Sequence, residues 1–392
     1  MIKLFSGSLS DLGMDEDVSI FSHWLEPVGA GCSPPREVIK EVVRVVAKPD
    51  FVWVLPGSFC PPTYGHLRLI ERAAEMFPNL QVICSDDSEK KDRWFSMEEC
   101  KGLWESYNLP KKGNLNFLTL PEFMRKNIDP SRIAIVRGIR DDSDWERERQ
   151  VAILNQKKFG IARYFYLLSE NEYEDVSSSR VRAMAENMEI EALHKLVSPL
   201  AISALLEKVL KIKNLYLVVG KPGAGKSTFL GHLREMDKGN VWINSDKITL
   251  SLRSRLEDRY PGENLLKVVR ERGEEIHEVI GRPWIESLKQ ELRNAANAKN
   301  VFVEIPYGLE KKKQLFRFVG GKVVYLGCGE RENKKRLISR GTPELEVFLE
   351  KIPGKIESQR IAKENKLRLI SVDTGGSLED LRRKAMKFNS EI

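Results

Sequence analysis

Two stretches of this 392-residue chain hold side chains whose types and spacing suit phosphate chemistry. The first, Gly220-Lys221-Pro222-Gly223-Ala224-Gly225-Lys226-Ser227-Thr228, satisfies G-x-x-x-x-G-K-[ST]. Glycines there let backbone N–H groups cradle phosphate oxygens. Lys226 reaches the outer phosphates, and the Ser227 hydroxyl suits Mg²⁺. The second, Gly57-Ser58-Phe59-Cys60-Pro61-Pro62-Thr63-Tyr64-Gly65-His66, places a glycine first and an imidazole last. If a helix opens near His66, its free N–H groups, its dipole and the imidazole can all meet one phosphate. A lone histidine at a helix start also serves as a cap, so this stretch carries two readings by itself.

Other residues fall where such loops need partners. Asp246 follows the apolar run 241–243 and either organises Mg²⁺ and an acceptor hydroxyl or caps the helix after it. Glu304 ends the run Val301-Phe302-Val303 and is a second acid for the same site. Arg336 and Arg340 stand one helical turn apart, as a phosphate clamp or as a solvated basic face. Arg360 is a further clamp residue.

These loops must be positioned by strands. Apolar runs at 51–55 and 215–219 each lead into a glycine loop and then a helical pattern, at 66–76 and 229–235. Further strands are expected at 80–84, 116–119, 133–136 and 164–168. A second set is expected at 241–243, 301–304, 322–326 and 367–372. Strands alternating with helices imply parallel sheets, and the restart of the pattern implies two α/β domains. The boundary is expected at 208–214, with a helix over 192–211 closing the first domain. Residues 1–50 form an N-terminal extension of unknown role with a helix at about 35–47, then 51–208 and 212–392 follow as domains.

Composition narrows the class. Hydrophobic residues at 41% can fill two cores, and 31% charge without low-complexity runs argues against disorder. Five cysteines with no CxxC pair disfavour a disulfide framework or a zinc knuckle and fit a reducing compartment. No apolar run approaches a membrane span and the first residues lack a leader's apolar core, so a cytoplasmic protein without a membrane partner is expected. The net charge of +7 is uneven: residues 1–200 carry 26 basic and 31 acidic side chains, whereas residues 201–392 carry 38 and 26. The basic excess, including Lys311-Lys312-Lys313, belongs to the second half alone. It keeps nucleic acid open as a partner for that half.

Three segments in order resemble one family. Small-x-Phe-x-Pro followed by Gly65-His66 resembles the nucleotidyltransferase signature. Arg137-Gly138-Ile139-Arg140-Asp141-Asp142-Ser143-Asp144-Trp145-Glu146-Arg147-Glu148 and Val176-Ser177-Ser178-Ser179-Arg180-Val181-Arg182 resemble two segments of bacterial phosphopantetheine adenylyltransferase. The resemblance spans about residues 51–200. It implies a Rossmann-like domain in which the acceptor phosphate attacks the α-phosphorus of ATP, with no covalent enzyme intermediate. It also implies residue roles. Ser58, Phe59 and His66 would meet the ATP α-phosphate region, and Lys91 would bridge substrate and ATP phosphates. Arg137 would touch both substrates, with Arg140 on the ATP side. Glu148 and Asn155 would hold the pantetheine arm. Tyr173 and Ser177, Ser178 and Ser179 would bind adenine and the outer phosphates. Cys60 stands where that family usually has Asp, Tyr64 where Asn is common, and Asp141-Asp142 replaces a small apolar pair.

The second half resembles the nucleoside- and nucleotide-kinase branch of P-loop proteins, with dephospho-CoA kinase the member whose substrate is the first domain's product. Its usual Asp-x-Asp is Asn244-Ser245-Asp246 in this chain. Polynucleotide-kinase-like proteins resemble the loop equally. The expected protein is a bifunctional coenzyme A enzyme using ATP and Mg²⁺ at small-molecule sites. Homo-oligomers are common among the resembled adenylyltransferases. Rival readings are a nicotinamide-mononucleotide adenylyltransferase joined to a riboside kinase, a nucleic-acid end-repair protein, and a regulatory second half that binds ATP without transfer.

Overall fold

The structure is a computed structural model. It describes residues 51–77, 79–84, 94–110, 114–126, 129–140, 142–161, 163–168, 176–263, 273–305, 316–341 and 354–392. The expected helix at 35–47, Lys91, Tyr173 and Lys311 to Lys313 lie outside them. Contacts divide the chain into two compact units, Met1–Val181 and Arg182–Ile392.

In the first unit five parallel strands form one sheet: β1 (Val52–Gly57), β2 (Gln81–Cys84), β3 (Asn114–Asn116), β4 (Ile133–Ile139) and β5 (Arg163–Leu168). The spatial order is β3-β2-β1-β4-β5. The strand order reverses at β1, so a crevice opens beyond the carboxyl ends of β1 and β4, where ligands bind in open α/β sheets. Helix α1 (Tyr64–Met76) follows the β1 loop and buries Ile70, Ala73 and Ala74. Helices α2 (Met97–Trp104), α3 (Leu120–Met124) and α4 (Asp142–Phe159) complete the layers. The expected strand at 116–119 ends at Asn116. Thr119 and Glu122 instead form a capping box that starts α3, each side chain bonding the other's backbone N–H.

Helix α5 (Ser178–Glu186) spans the division, and α6 (Ile190–Leu196) and α7 (Pro199–Leu210) belong to the second unit. The boundary therefore falls earlier than 208–214. The single helix expected over 192–211 is two helices, because Ser198 caps a new start and Pro199 supplies its first turn. Helix α7 closes the second unit rather than the first. The Glu207 carboxylate accepts from Leu215 N at 2.7 Å and from Lys322 Nζ at 2.8 Å.

The second unit's sheet is also parallel: β6 (Asn214–Val219), β7 (Asn240–Asn244), β8 (Asn300–Glu304), β9 (Lys322–Gly327) and β10 (Arg368–Asp373), in the order β10-β9-β6-β8-β7. Helices α8 (Lys226–Met236), α9 (Ser245–Ser251), α10 (Arg253–Arg259), α11 (Gly273–Asn294), α12 (Phe316–Val319), α13 (Glu330–Ser339), α14 (Lys355–Glu364) and α15 (Leu378–Glu391) surround it. Its core joins Tyr216, Phe229, Phe302 and Phe388 with the aliphatic face of the sheet. The expected α/β class with two parallel-sheet domains is what the chain adopts. Among the described residues no helix is long and apolar enough to cross a membrane.

Candidate active sites

In the first unit the local sequence dictates where His66 goes. Thr63 caps α1, and its hydroxyl accepts from the His66 N–H at 3.1 Å. In return, Thr63 N donates to His66 Nδ1 at 3.2 Å. Nδ1 is thus an acceptor, and the neutral ring carries its proton on Nε2. Burial, reinforced by the nearby Arg140 charge, lowers the His66 pKa to about 4. The imidazole is a neutral donor near pH 7, suited to a phosphate oxygen. The structure joins the two readings of this residue: His66 is part of the cap, and the cap sets its tautomer.

The loop between β1 and α1 is held from beneath by sulfur. Cys84 Sγ donates to Ser58 O at 3.1 Å, and Cys100 Sγ donates to Phe59 O at 3.6 Å. The two sulfurs lie 3.8 Å apart. Hydrogen bonds to Cys60 and Cys84, together with burial, push the Cys100 thiol well up. These are structural thiols rather than nucleophiles. Phe59 takes a left-handed conformation (φ 41°), and its ring meets the His66 ring edge-on at 5.3 Å.

Arginines line the β4 side of the crevice. The Arg137 guanidinium binds both carboxylate oxygens of Glu148, at 2.5 and 2.7 Å, and also donates to Pro56 O. Arg140 binds Asp144 at 2.6 and 3.0 Å. Asp144 and Glu148 are one turn apart on α4 and almost fully buried, so this helix face fixes both arginines. Asn155, two turns beyond Glu148, lies beside the Tyr164 hydroxyl, whose pKa burial raises to about 12. Ser177 caps α5 by accepting from Arg180 N at 3.1 Å. Ser178 Oγ reaches Pro61 O at 3.1 Å, tying the serine segment to the loop, while Ser179 is exposed. The structure therefore gathers Ser58, Phe59, His66, Ser177 and Ser178 around one loop, with Arg137, Arg140, Glu148 and Asn155 on the adjoining wall. Sequence reasoning missed Asp144, Thr63 and the thiols. The Thr63-x-x-His66 spacing and the i, i+4 pair Arg140–Asp144 were the available signals.

In the second unit the loop Gly220–Gly225 leaves β6 and enters α8. A Cβ on Gly220 would stand 2.2 Å from Leu326 O, and φ there is +155°. Gly225 (φ +79°) faces Arg336 Nη1, 3.3 Å from where a Cβ would sit. Both glycines are required by close approach and by backbone sign. Lys226 is buried, and its ammonium donates to Gly220 O at 2.9 Å and Lys221 O at 3.4 Å. Burial lowers its pKa, while Glu304 and Asp246 oppose the shift.

Strand order explains the acids. Because β8 pairs directly with β6, Glu304 at its end lies beside α8, and Ser227 Oγ donates to its Oε1 at 3.5 Å. Its Oε2 is buried with no hydrogen-bond partner, and the Trp242 indole N–H faces the carboxylate without reaching bonding distance. Desolvation raises the Glu304 pKa. Asn244, in register with Glu304, caps α9 by accepting from Asp246 N at 2.9 Å. The N-cap role that Asp246 could have taken thus belongs to Asn244. Ser227 and Glu304, with the Asp246 charge nearby, fit a hard divalent cation: an unpartnered buried carboxylate oxygen and a hydroxyl are suitable donors. Among the described residues no cluster of three His, Cys, Asp or Glu could hold a metal alone.

Ala224, within the loop, is fully buried, and Thr228 follows Ser227 in the first turn of α8. Arg336 donates through Nε to Glu332 at 3.0 Å and through Nη2 to Thr374 O at 3.0 Å. The Arg340 charge reaches the Lys226 ammonium. Arg360 is different. It is half exposed and held by Glu357 and Glu364, and no described contact joins it to the loop. Thr374 was missed at the sequence level.

A gluconokinase from Sinorhizobium meliloti aligns over 46% of this chain and 93% of its own, at 18% identity and a TM-score of 0.31. A sugar kinase from a Janibacter species aligns over 45% and 93%, at 16% identity and 0.31. These likenesses are weak, and the second unit's chemistry rests on its own residues. Residues 54–184 match the Cytidylyltransferase-like family. A phosphopantetheine adenylyltransferase from Moorella thermoacetica is 35% identical over 161 residues, 40% of this chain and 96% of that protein. Through its first unit, the chain belongs to the phosphopantetheine adenylyltransferase family of cytidylyltransferase-like proteins.

Proposed function

We propose that the chain is a bifunctional coenzyme A enzyme that transfers adenylyl from ATP to 4′-phosphopantetheine and then phosphorylates the 3′-hydroxyl of the resulting dephospho-CoA. The observation that carries the first half is the reciprocal Thr63–His66 cap, which leaves Nε2–H as a fixed neutral donor at the crevice between β1 and β4. The acceptor phosphate attacks the α-phosphorus of ATP and pyrophosphate leaves. His66 Nε2–H donates to an α-phosphate oxygen, where charge builds in the transition state. Arg137, oriented by Glu148 and Pro56 O, neutralises the incoming phosphate. Lys91 and Tyr173 complete the site in this reading.

The second half is supported by Lys226, Ser227 and Glu304 meeting at one loop. A bound Mg²⁺ there would neutralise phosphate charge. Ser227, Glu304 and Asp246 would hold it. Lys226 stabilises the transferring phosphoryl group, and Arg336 and Arg340 flank it. Incubation with ATP, Mg²⁺ and 4′-phosphopantetheine, followed by mass analysis, should yield dephospho-CoA and then CoA. Dephospho-CoA without CoA would sink the kinase half, and no adduct would sink both. Substituting nicotinamide riboside and its mononucleotide tests the rival acceptors.

A further inference from the structure

The loop after β10, residues 374–377, bears on the phosphate loop in a way that catalysis alone does not use. Thr374 is fully buried. Its hydroxyl donates to Ala224 O at 2.5 Å, across 150 positions of sequence. Its own N–H donates to Gly327 O at 2.8 Å, anchoring it to the end of β9. Its carbonyl accepts from Arg336 Nη2 at 3.0 Å, and the same nitrogen reaches Gly376 O at 3.4 Å. A Cβ on Gly225 would contact the Thr374 Cβ at 3.8 Å and Arg336 at 3.3 Å, so the two side chains wall the loop where it turns into α8.

We propose that Thr374 is a positioning residue for the second site, a strap that locks the phosphate loop in its anion-binding shape. Ala224 sits between two left-handed glycines, Gly223 and Gly225, where the backbone has the most freedom to turn its amides away. Fixing the Ala224 carbonyl fixes the peptide plane it shares with Gly225 N–H, and so aims that donor at the phosphates. No other side-chain donor to that carbonyl is present among the described residues. The inference rests on the phosphoryl-donor reading of this site.

The test uses the full chain and calorimetric titration with ATP and with inorganic tripolyphosphate. The binding event lost in Lys226→Ala reports the second site. Thr374→Val keeps the shape and removes the hydroxyl, leaving the buried Ala224 carbonyl unpaired. It should weaken that event about tenfold, by the same factor for both ligands. Thr374→Ser should bind within about twofold of the parent. Unchanged affinity in Thr374→Val would overturn the strap, and so would a loss confined to ATP, which would make Thr374 a nucleoside contact. If Lys226→Ala loses no event, the phosphoryl-donor reading fails first, independently of the strap. A variant that melts earlier yet binds normally also overturns it, because that is a packing effect alone.

Discussion

In the proposed reading the two units solve one problem, holding a nucleotide's phosphates at a helix start, with opposite charge strategies. In the first, α1 opens with a neutral imidazole whose tautomer is set by a threonine cap. The two nearby arginines are each already matched by a buried carboxylate. In the second, α8 opens with a buried ammonium that rests on loop carbonyls, beside a carboxylate with a bare oxygen. Attack at the α-phosphorus leaves a large fragment on either side and asks for oriented donors. Transfer of a terminal phosphoryl group concentrates charge at one end and asks for cations. The charge contrast between the halves, 26 basic to 31 acidic against 38 to 26, runs in the same direction.

If the contrast is sound, the sites come apart on mutation. Lys226→Ala should abolish phosphoryl transfer, by about 10³-fold or more, and leave adenylyl transfer within twofold. His66→Ala should cut adenylyl transfer by about 10²–10³-fold and spare the kinase step, as removing one preorganised donor does elsewhere. Pyrophosphate release and phosphorylated product, followed separately, check both. One variant silencing both reactions would show that the sites are coupled and not merely joined.

The neutral-donor half of the comparison is sharpened by pH. With its pKa at about 4 in the folded protein and near 6.5 when unfolded, His66 stays neutral down to mildly acid pH. Between about 6.5 and 4 only the unfolded chain takes the proton, so stability falls as pH drops through that window. Side-chain NMR should show Nε2 protonated and no titration near 6.5. His66→Gln, which cannot titrate, should flatten this part of the stability curve. Titration of His66 at an ordinary value would remove the argument for a neutral donor.

Much of this was legible in the chain and some was not, for identifiable reasons. Among the described residues most strands arise from apolar runs bounded by turn residues, since a strand buried on both faces needs little else; β3, Asn114-Leu115-Asn116, is an exception at the sheet edge. Misplaced edges came from competing caps. Thr119 and Glu122 took residues 117–119 from β3, and Ser198-Pro199 cut one helix into two. His66, Lys226 and Ser227 stand in the first turns of α1 and α8, because short-range geometry alone places them there. Thr374, Asp144 and the thiols under Ser58 and Phe59 were hidden because their roles depend on what other elements bring beside them. Arg360 shows the converse: a basic residue after a kinase-like pattern whose partners are its own helix neighbours.

That last residue gives the smallest expected effect and the cleanest control for reading arginines as clamps. Arg360 lies on the exposed side of α14, paired with Glu357 and Glu364 at i−3 and i+4. Exposed pairs of that kind contribute little, because water screens them. Arg360→Ala should therefore leave the unfolding transition essentially where it is and phosphoryl transfer within twofold. Arg336→Ala removes the donor to two loop carbonyls and should cost the kinase step about tenfold. The pair separates charge from position, because both variants remove one guanidinium from the same basic unit. Equal losses would mean that net positive charge, rather than the seat of each side chain, governs that site. A large loss in Arg360→Ala alone would require α14 to carry its arginine to the nucleotide during turnover.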